Sequence, residues 1–255
     1  HQSAAAIEFG LLLDEVTNRV KDIKDSDFKN EQALKWVNTY KLAKPLTQME
    51  VTAYANVIFN YIFLKPEGIT RDVRGAYPYF RYRQTDASFV GLDVMVDQVL
   101  ANHLSLLARA SILRAHDFRN RDFLIYMPSN RAELSMKYEK RLDKKLSNIF
   151  ATLGTSYTAK QNRAPRVVTI NQIIEASNAG QDLFATNNSM FDFTAAPEGY
   201  FLAQASAGVS FNMKKQKMDV QLQCENLFNT SYREYTNRMR YFSDEIGRNL
   251  SLSLK

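Results

Sequence analysis

The chain of 255 residues is 45% hydrophobic and carries a formal charge of +6, a composition that fits one large or two small ordered domains and excludes general disorder. Its basic residues are interleaved with acids, as in "EKRLDKK", and no run of five Lys/Arg occurs, which argues against nucleic acid as a partner. The single cysteine, Cys224, excludes an internal disulfide and any CxxC site. No apolar run is long enough for a membrane helix, but a β-barrel stays open because its strands need apolar residues on one face only. The chain starts at His1 with no basic and then apolar leader, so it reads as a mature piece or a fragment.

Along the chain the dominant period is two. Weak alternation at 3–13 and 32–42 is followed by a strong set at 49–64: Val51, Ala53, Ala55, Val57, Phe59, Tyr61 and Phe63 share one face. Val90, Leu92, Val94 and Val96 repeat it, as do Leu104, Leu106, Ala108, Ala110 and Ile112. At 131–139 Ala132, Leu134, Met136 and Tyr138 alternate with charged or polar residues, and 147–160 is a weaker version. From Phe201 to Met213 the odd positions are apolar and the even ones nearly all polar. Met218, Val220, Leu222 and Cys224 follow, then the Leu250, Leu252, Leu254 tail. The pattern predicts about ten strands and no amphipathic helix.

The connections alternate in length. Short ones fall near 43–48, 99–103, 140–146 and 214–216; long ones near 14–31, 65–86, 117–130, 161–199 and 227–247. In an up-and-down meander every second connection lies at the same end, so all short turns gather at one end and all long loops at the other. That is the order of outer-membrane barrels. Strand length agrees: Phe201 to Phe211 spans about 23 Å of height at ~3.3 Å per residue and a tilt near 45°, close to the apolar band of such barrels. The expected fold is all-β, an antiparallel up-and-down transmembrane β-barrel, with Trp36 and Cys224 on its lipid-facing phase.

The polar phase carries Asp93, Asp97, Glu133, Glu139, Asp219 and Glu225 beside Arg109, Arg131, Lys137 and Lys217. Such a mixture reads as a hydrated wall with ion pairs rather than as paired catalytic acids. The three histidines, His1, His103 and His116, have no metal-ligand spacing. His116 and Asp117 read as solvated loop residues, and no nucleophile motif is present. No catalytic residue, metal or cofactor is therefore expected. The long loops are the binding candidates, because a rigid scaffold presents function on its loops. "RDVRGAYPYFRYRQTD" supplies Arg71, Arg74, Tyr77, Tyr79, Arg81, Tyr82 and Arg83. The next long loop supplies Arg121 and Tyr126, and the last one Tyr232, Arg233, Tyr235, Arg238, Arg240 and Tyr241. Arg with Tyr suits an anionic, planar or aromatic ligand. The same residues also suit a barrel rim facing lipopolysaccharide phosphates.

The end of the chain, "CENLFNTSYREYTNRMRYFSDEIGRNLSLSLK", resembles the C-terminal end of TonB-dependent outer-membrane receptors, which carry an N-L-F-N-x-x-Y motif, a long extracellular loop, a G-R strand start and a last alternating strand. Glu225, Asn226, Leu227, Phe228, Asn229, Tyr232, Gly247, Arg248 and Asn249 carry the likeness. "AYANVIFNYIF", "FRYRQTDASFVGLDVMV" and "EGYFLAQASAGVSF" resemble other barrel segments of that family. The resemblance implies that residues 1–255 are the C-terminal portion of a barrel of about 22 strands, without its plug and N-terminal strands. It further implies the outer membrane of a Gram-negative bacterium and energised uptake of a scarce nutrient, an iron chelate (siderophore) or haem. The implied partners are outer-membrane lipid and lipopolysaccharide, the remainder of the receptor, TonB of the inner-membrane complex through the absent part, a small-molecule ligand and an extracellular lipoprotein. A passive porin-like channel is the alternative. The family tends to end on an aromatic residue, whereas this chain ends at Lys255.

Overall fold

The computed structural model describes residues 28–73, 75–142, 146–181, 190–213 and 216–254. The strand expected at 3–13 lies outside them. Nine long strands follow one another in a single antiparallel meander: β1 (Gln32–Lys44), β2 (Thr47–Asp72), β3 (Gly75–Ala101), β4 (Leu104–Asp117), β6 (Arg131–Arg141), β7 (Leu146–Thr158), β10 (Tyr200–Met213), β11 (Gln216–Glu225) and β12 (Asn249–Leu254). The short β5 (Asp122–Phe123) adds to β4, and β8 (Val167–Val168) pairs in parallel with β9 (Met190–Phe191) outside the main sheet. Among the described residues β1 and β12 are the two ends of the sheet. No described helix is long and apolar enough to cross a membrane.

Register explains the alternation. Leu34, Trp36 and Tyr40 pair with Val57, Ala55 and Val51, and these with Ser88, Val90 and Val94. The same face continues through Ile112, Leu134, Leu153, Ala205, Cys224 and Leu250. Many of its large apolar side chains are exposed, Trp36 at 56% and Leu252 at 66% among them. A continuous apolar face open to the surroundings, with its core elsewhere, is the surface a bilayer would cover.

The opposite face is polar and cross-linked. Lys41 pairs with its register partner Glu50 at 3.0 Å, and Thr39 and Thr52 share a hydrogen bond. Glu133 meets Arg131 at 2.9 Å along its own strand and Arg109 at 4.0 Å across it, while Lys137 pairs with Glu139. Tyr54 lies over Gly91, its register partner, where a Cβ would sit 2.1 Å from the ring. An aromatic ring covering a glycine across a strand pair fills the gap that the missing side chain leaves.

Three features depart from the alternation. A bulge at Asn60, whose φ of 56° is left-handed, shifts the register between Ile58 and Tyr61. Beyond it Tyr61 and Phe63 turn away from the apolar face on which their odd numbers place them: Tyr61 packs edge-on against Phe89 and Phe63 is buried beside Ile125 and Tyr235. One inserted residue reverses every later side chain, so a strict count of two fails there. Second, 65–86 is no open loop. β2 and β3 remain paired up to Asp72 and Gly75, forming a ribbon past the apolar band. The alternation fades there because the ribbon runs past the continuous apolar face, although the backbone pairing persists. Third, a helix, α1 (Ile170–Asn178), interrupts 161–199, with the Thr169 N–H donating to Gln172 Oε1 at its start. Nine residues are too few for the periodicity to stand out.

Candidate functional site

Among the described residues four long connections lie at the end opposite the short turns, and they pack into one layer. The β2–β3 ribbon contributes Phe63 and Phe80, the β4–β6 connection Leu124, Ile125 and Tyr126, the β7–β10 connection Asp192 to Ala196, and the β11–β12 connection Tyr235 to Phe242. Each connection is anchored first. Asp117, 2% exposed, accepts from Thr85 Oγ1, from the Arg119 and Asn120 N–H groups and from Asn120 Nδ2. It is therefore a buried turn-former and not the solvated loop residue that its sequence context predicts. In the last connection Asn226 and Asn229 adopt left-handed φ of 47° and 53°, a conformation asparagine tolerates better than most residues. Asn226 exchanges two hydrogen bonds with Thr230, and Asn229 Oδ1 accepts the Arg248 N–H at 2.9 Å. The N-L-F-N and G-R motifs thus meet in space, and Gly247 leaves room for that contact, since a Cβ would lie 2.7 Å from Asn229 Oδ1 and push it aside.

At the centre of the layer Arg240 and Asp192 form an ion pair of 2.7 Å with both side chains 1% exposed. Arg240 also donates to Thr194 Oγ1 and the Ala195 carbonyl, and its guanidinium stands over the Tyr241 and Tyr235 rings at 4.6 and 5.1 Å. The Tyr241 hydroxyl donates to Asp192 Oδ1 at 2.5 Å and meets the Tyr126 hydroxyl at the same distance. Burial raises the Asp192 carboxyl, against the lowering by Tyr241 and Arg240. It also raises Tyr126 and Tyr241 well above the ordinary tyrosine range, Asp192's negative charge adding to the effect, and pushes Tyr235 up to about 12.

Of the residues expected to bind, Tyr126, Tyr235, Arg238, Arg240 and Tyr241 are brought together. Arg240 and Tyr235 lie inside the layer, not on its surface. Arg233 braces them from outside, donating to the Arg240 carbonyl at 2.8 Å and to Asp244 at 2.5 Å. Tyr232 stands apart, its ring tilted against that of Tyr200 with centroids 4.4 Å apart, and lines a groove of about 310 Å³ that also touches Arg131, Glu133 and Glu245. Arg121, with φ of 51°, is exposed on the β4–β5 turn. Arg81 and Arg83 are exposed on the ribbon opposite Lys65 and Phe63; Tyr77 and Tyr79 pair through their backbones with Thr70 and Gly68. Arg74 lies outside the described residues. Arg238 is the exposed member: its guanidinium lies 5.4 Å from the Phe80 ring and 5.9 Å from the Tyr126 ring, with no carboxylate partner among the described residues.

Sequence reading missed Asp192, Thr194, Phe80 and Tyr200. "MFDFT" carries no period and no motif, so the one signal for Asp192 is an acid among aromatics in a long connection. Among the described residues no cluster of His, Cys, Asp and Glu is arranged to hold a metal ion.

No family model matches the chain, and no curated protein matches it in sequence. Solved structures do match in fold. The copper transporter OprC superposes with a TM-score of 0.64 at 16% identity, over 88% of this chain and 31% of that one. The FrpB iron transporter from Neisseria meningitidis gives 0.58 at 14%, over 89% and 31%, and the ferripyoverdine receptor of the outer membrane of Pseudomonas aeruginosa gives 0.55 at 15%, over 88% and 27%. The chain thus spans less than a third of the length of these structures. The chain has the fold of the β-barrel of TonB-dependent outer-membrane receptors, the family that its C-terminal motif resembles.

Proposed function

We propose that this chain is wall and extracellular layer of a TonB-dependent receptor of a Gram-negative outer membrane, which takes up a scarce nutrient, an iron chelate or haem. The supporting observation is Arg238. At the end where four long connections converge, it presents a cation flanked by two aromatic rings and matched by no acid among the described residues. Such a group suits a ligand that is anionic and planar, bound by charge-assisted hydrogen bonds and stacking. Arg81, Arg83 and Arg121, exposed on the same layer, extend the positive character. In this reading Arg240, Tyr241, Tyr126 and Tyr235 hold the layer in shape while Arg238 meets the ligand. The polar wall with its ion pairs faces a plug, the remaining strands complete the barrel, TonB supplies energy through the part of the receptor outside this chain, and an extracellular lipoprotein assists.

The test is growth of a deletion strain on one iron, haem, metal or vitamin source at a time, with complementation by the full-length receptor and by its R238A variant. Loss of growth on one iron chelate or on haem, restored by the parent and weakly by R238A, is expected. If no source separates mutant from parent, the iron assignment fails. Planar-bilayer conductance is the second arm: a plugged receptor stays almost silent, and steady large openings would mean a passive channel.

A further inference from the structure

We infer that Tyr126, Tyr241 and Asp192 form a binding site for a ferric ion, a centre of two phenolates and one carboxylate inside the loop layer. The site is separate from the anion-binding role given to Arg238, and it does not depend on which nutrient is taken up. Three connections distant in sequence deliver one oxygen donor group each: Tyr126 comes from the β4–β6 connection, Asp192 from β7–β10 and Tyr241 from β11–β12. The Tyr241 hydroxyl stands 2.5 Å from Asp192 Oδ1 and 2.5 Å from the Tyr126 hydroxyl. Asp192 Oδ1 also accepts the Phe193 N–H at 2.8 Å, and Oδ2 accepts Arg240 Nη2 at 2.7 Å, so the carboxylate is fixed in orientation. The Tyr241 ring packs against Phe80 and Phe193, with centroids at 6.4 and 5.6 Å. Asp192 is 1% exposed whereas both tyrosines are half-buried, so the centre opens on the tyrosine side.

Hydrogen bonding accounts for these contacts but not for the backbone of Tyr126. Its φ is 58°, in the left-handed region that a bulky side chain rarely occupies. Strain of this kind is kept where the surroundings enforce it, and it collects at ligand clamps. The residue held in that conformation is the one whose hydroxyl completes the set.

Phenolate and carboxylate oxygens are hard donors and suit a small, highly charged cation rather than a soft one. Neighbouring oxygens about 2.1 Å from an octahedral cation lie about 3 Å apart. Each 2.5 Å contact therefore opens by about half an ångström on binding, within reach of side-chain rotation. Burial now keeps both phenols protonated. A bound cation reverses that preference, because it stabilises the phenolate directly. The exchange balances: one ferric ion enters, two phenol protons leave to water, and the centre gains one positive charge. Arg240 is already matched by Asp192, so the added charge is offset by hydroxide or an anionic donor on the open side.

The experiment titrates the full-length receptor, in uncharged detergent, with ferric nitrilotriacetate while visible absorbance and proton release are followed. Wild type should take up one ferric ion, show a phenolate-to-iron charge-transfer band and release two more protons than Y126F/Y241F. Either single variant should halve the band and release one proton fewer, and the double variant should lack the band. Y157F, which alters an exposed tyrosine on the apolar face, should match wild type. Loading should slow amide exchange in all three connections together, since one cation then joins them. Heat-modifiable migration in gels shows that each variant is folded. A colourless wild type would overturn the site. So would a band that survives in Y126F/Y241F, because the iron then sits elsewhere. Failure of the uptake reading looks different: a coloured receptor whose deletion changes growth on no iron source leaves the metal centre standing, whereas a colourless receptor in a strain that depends on it for iron removes the centre alone.

Discussion

Asp192 and Arg240, 48 residues apart in sequence, bury their charges against each other with both side chains 1% exposed, and so tie the β7–β10 connection to the β11–β12 connection. A buried pair is expensive to break from one side, because the remaining charge is stranded, yet it adds little over an apolar pair of the same volume.

Replacing one partner, as in D192N or R240M, should therefore destabilise the layer by about 3–5 kcal/mol, and D192L with R240M together should recover most of that loss. Amide exchange of residues 190–196 and 235–242 in the full-length receptor would report it, with the barrel strands unchanged.

Tyr126, Tyr235 and Tyr241 should resist alkali. All three ionise above the ordinary value of 10.0, Tyr235 at about 12, with burial as the main cause. A raised folded value means that the stability they contribute is complete below about pH 10 and is lost as pH rises through the folded values, about 12 for Tyr235 and higher for the other two. Tyrosinate absorbance should show a late set of tyrosines whose ionisation coincides with opening of the layer. In Y126F/Y241F that late set should shrink by two residues.

At the other edge of the layer Asp244 should act in the opposite sense. The Ser231 hydroxyl and the Arg233 guanidinium hold its carboxyl below the ordinary value of 3.8. Its contribution is present above the unfolded value and is lost as pH falls through the lower, folded one. Proteolysis of the 231–245 segment should accelerate only under strong acid, and in D244N it should already be faster at neutral pH.

Gly247→Ala should displace Asn229 Oδ1 from the Arg248 N–H, and N229A should leave that N–H without its acceptor. Each should cost about 1–2 kcal/mol. Faster amide exchange at Arg248 would be the direct readout, with a lower thermal midpoint of the whole receptor.

The sheet was legible because a continuous apolar face imposes a period of two on every strand that shares it: Leu106 to Ile112 or Ala203 to Val209 need no long-range information. The reading broke where local rules changed, at the Asn60 bulge and along the ribbon above the apolar band. The site was half legible. Tyr and Arg richness marked Tyr126, Arg238, Arg240 and Tyr241, but composition cannot separate the buried Arg240 from the exposed Arg238. That distinction depends on Asp192 and on Phe80, which enter from other connections. A contact such as that between the Tyr126 and Tyr241 hydroxyls joins residues 115 apart, and no period or motif encodes such a distance.

The convergence of four connections on one buried pair also limits how this protein can diversify. Segments that share an ion pair and a tyrosine chain cannot lengthen or drift independently without loosening their neighbours. Variation has most freedom at side chains outside that network: at Val73 on the tip of the ribbon, which is fully exposed, and at Met239 and Phe242, which are 59% and 58% exposed. The layer is then a fixed frame with a few replaceable points, and changes of ligand preference should accumulate at those points while Asp192 and Arg240 stay in place.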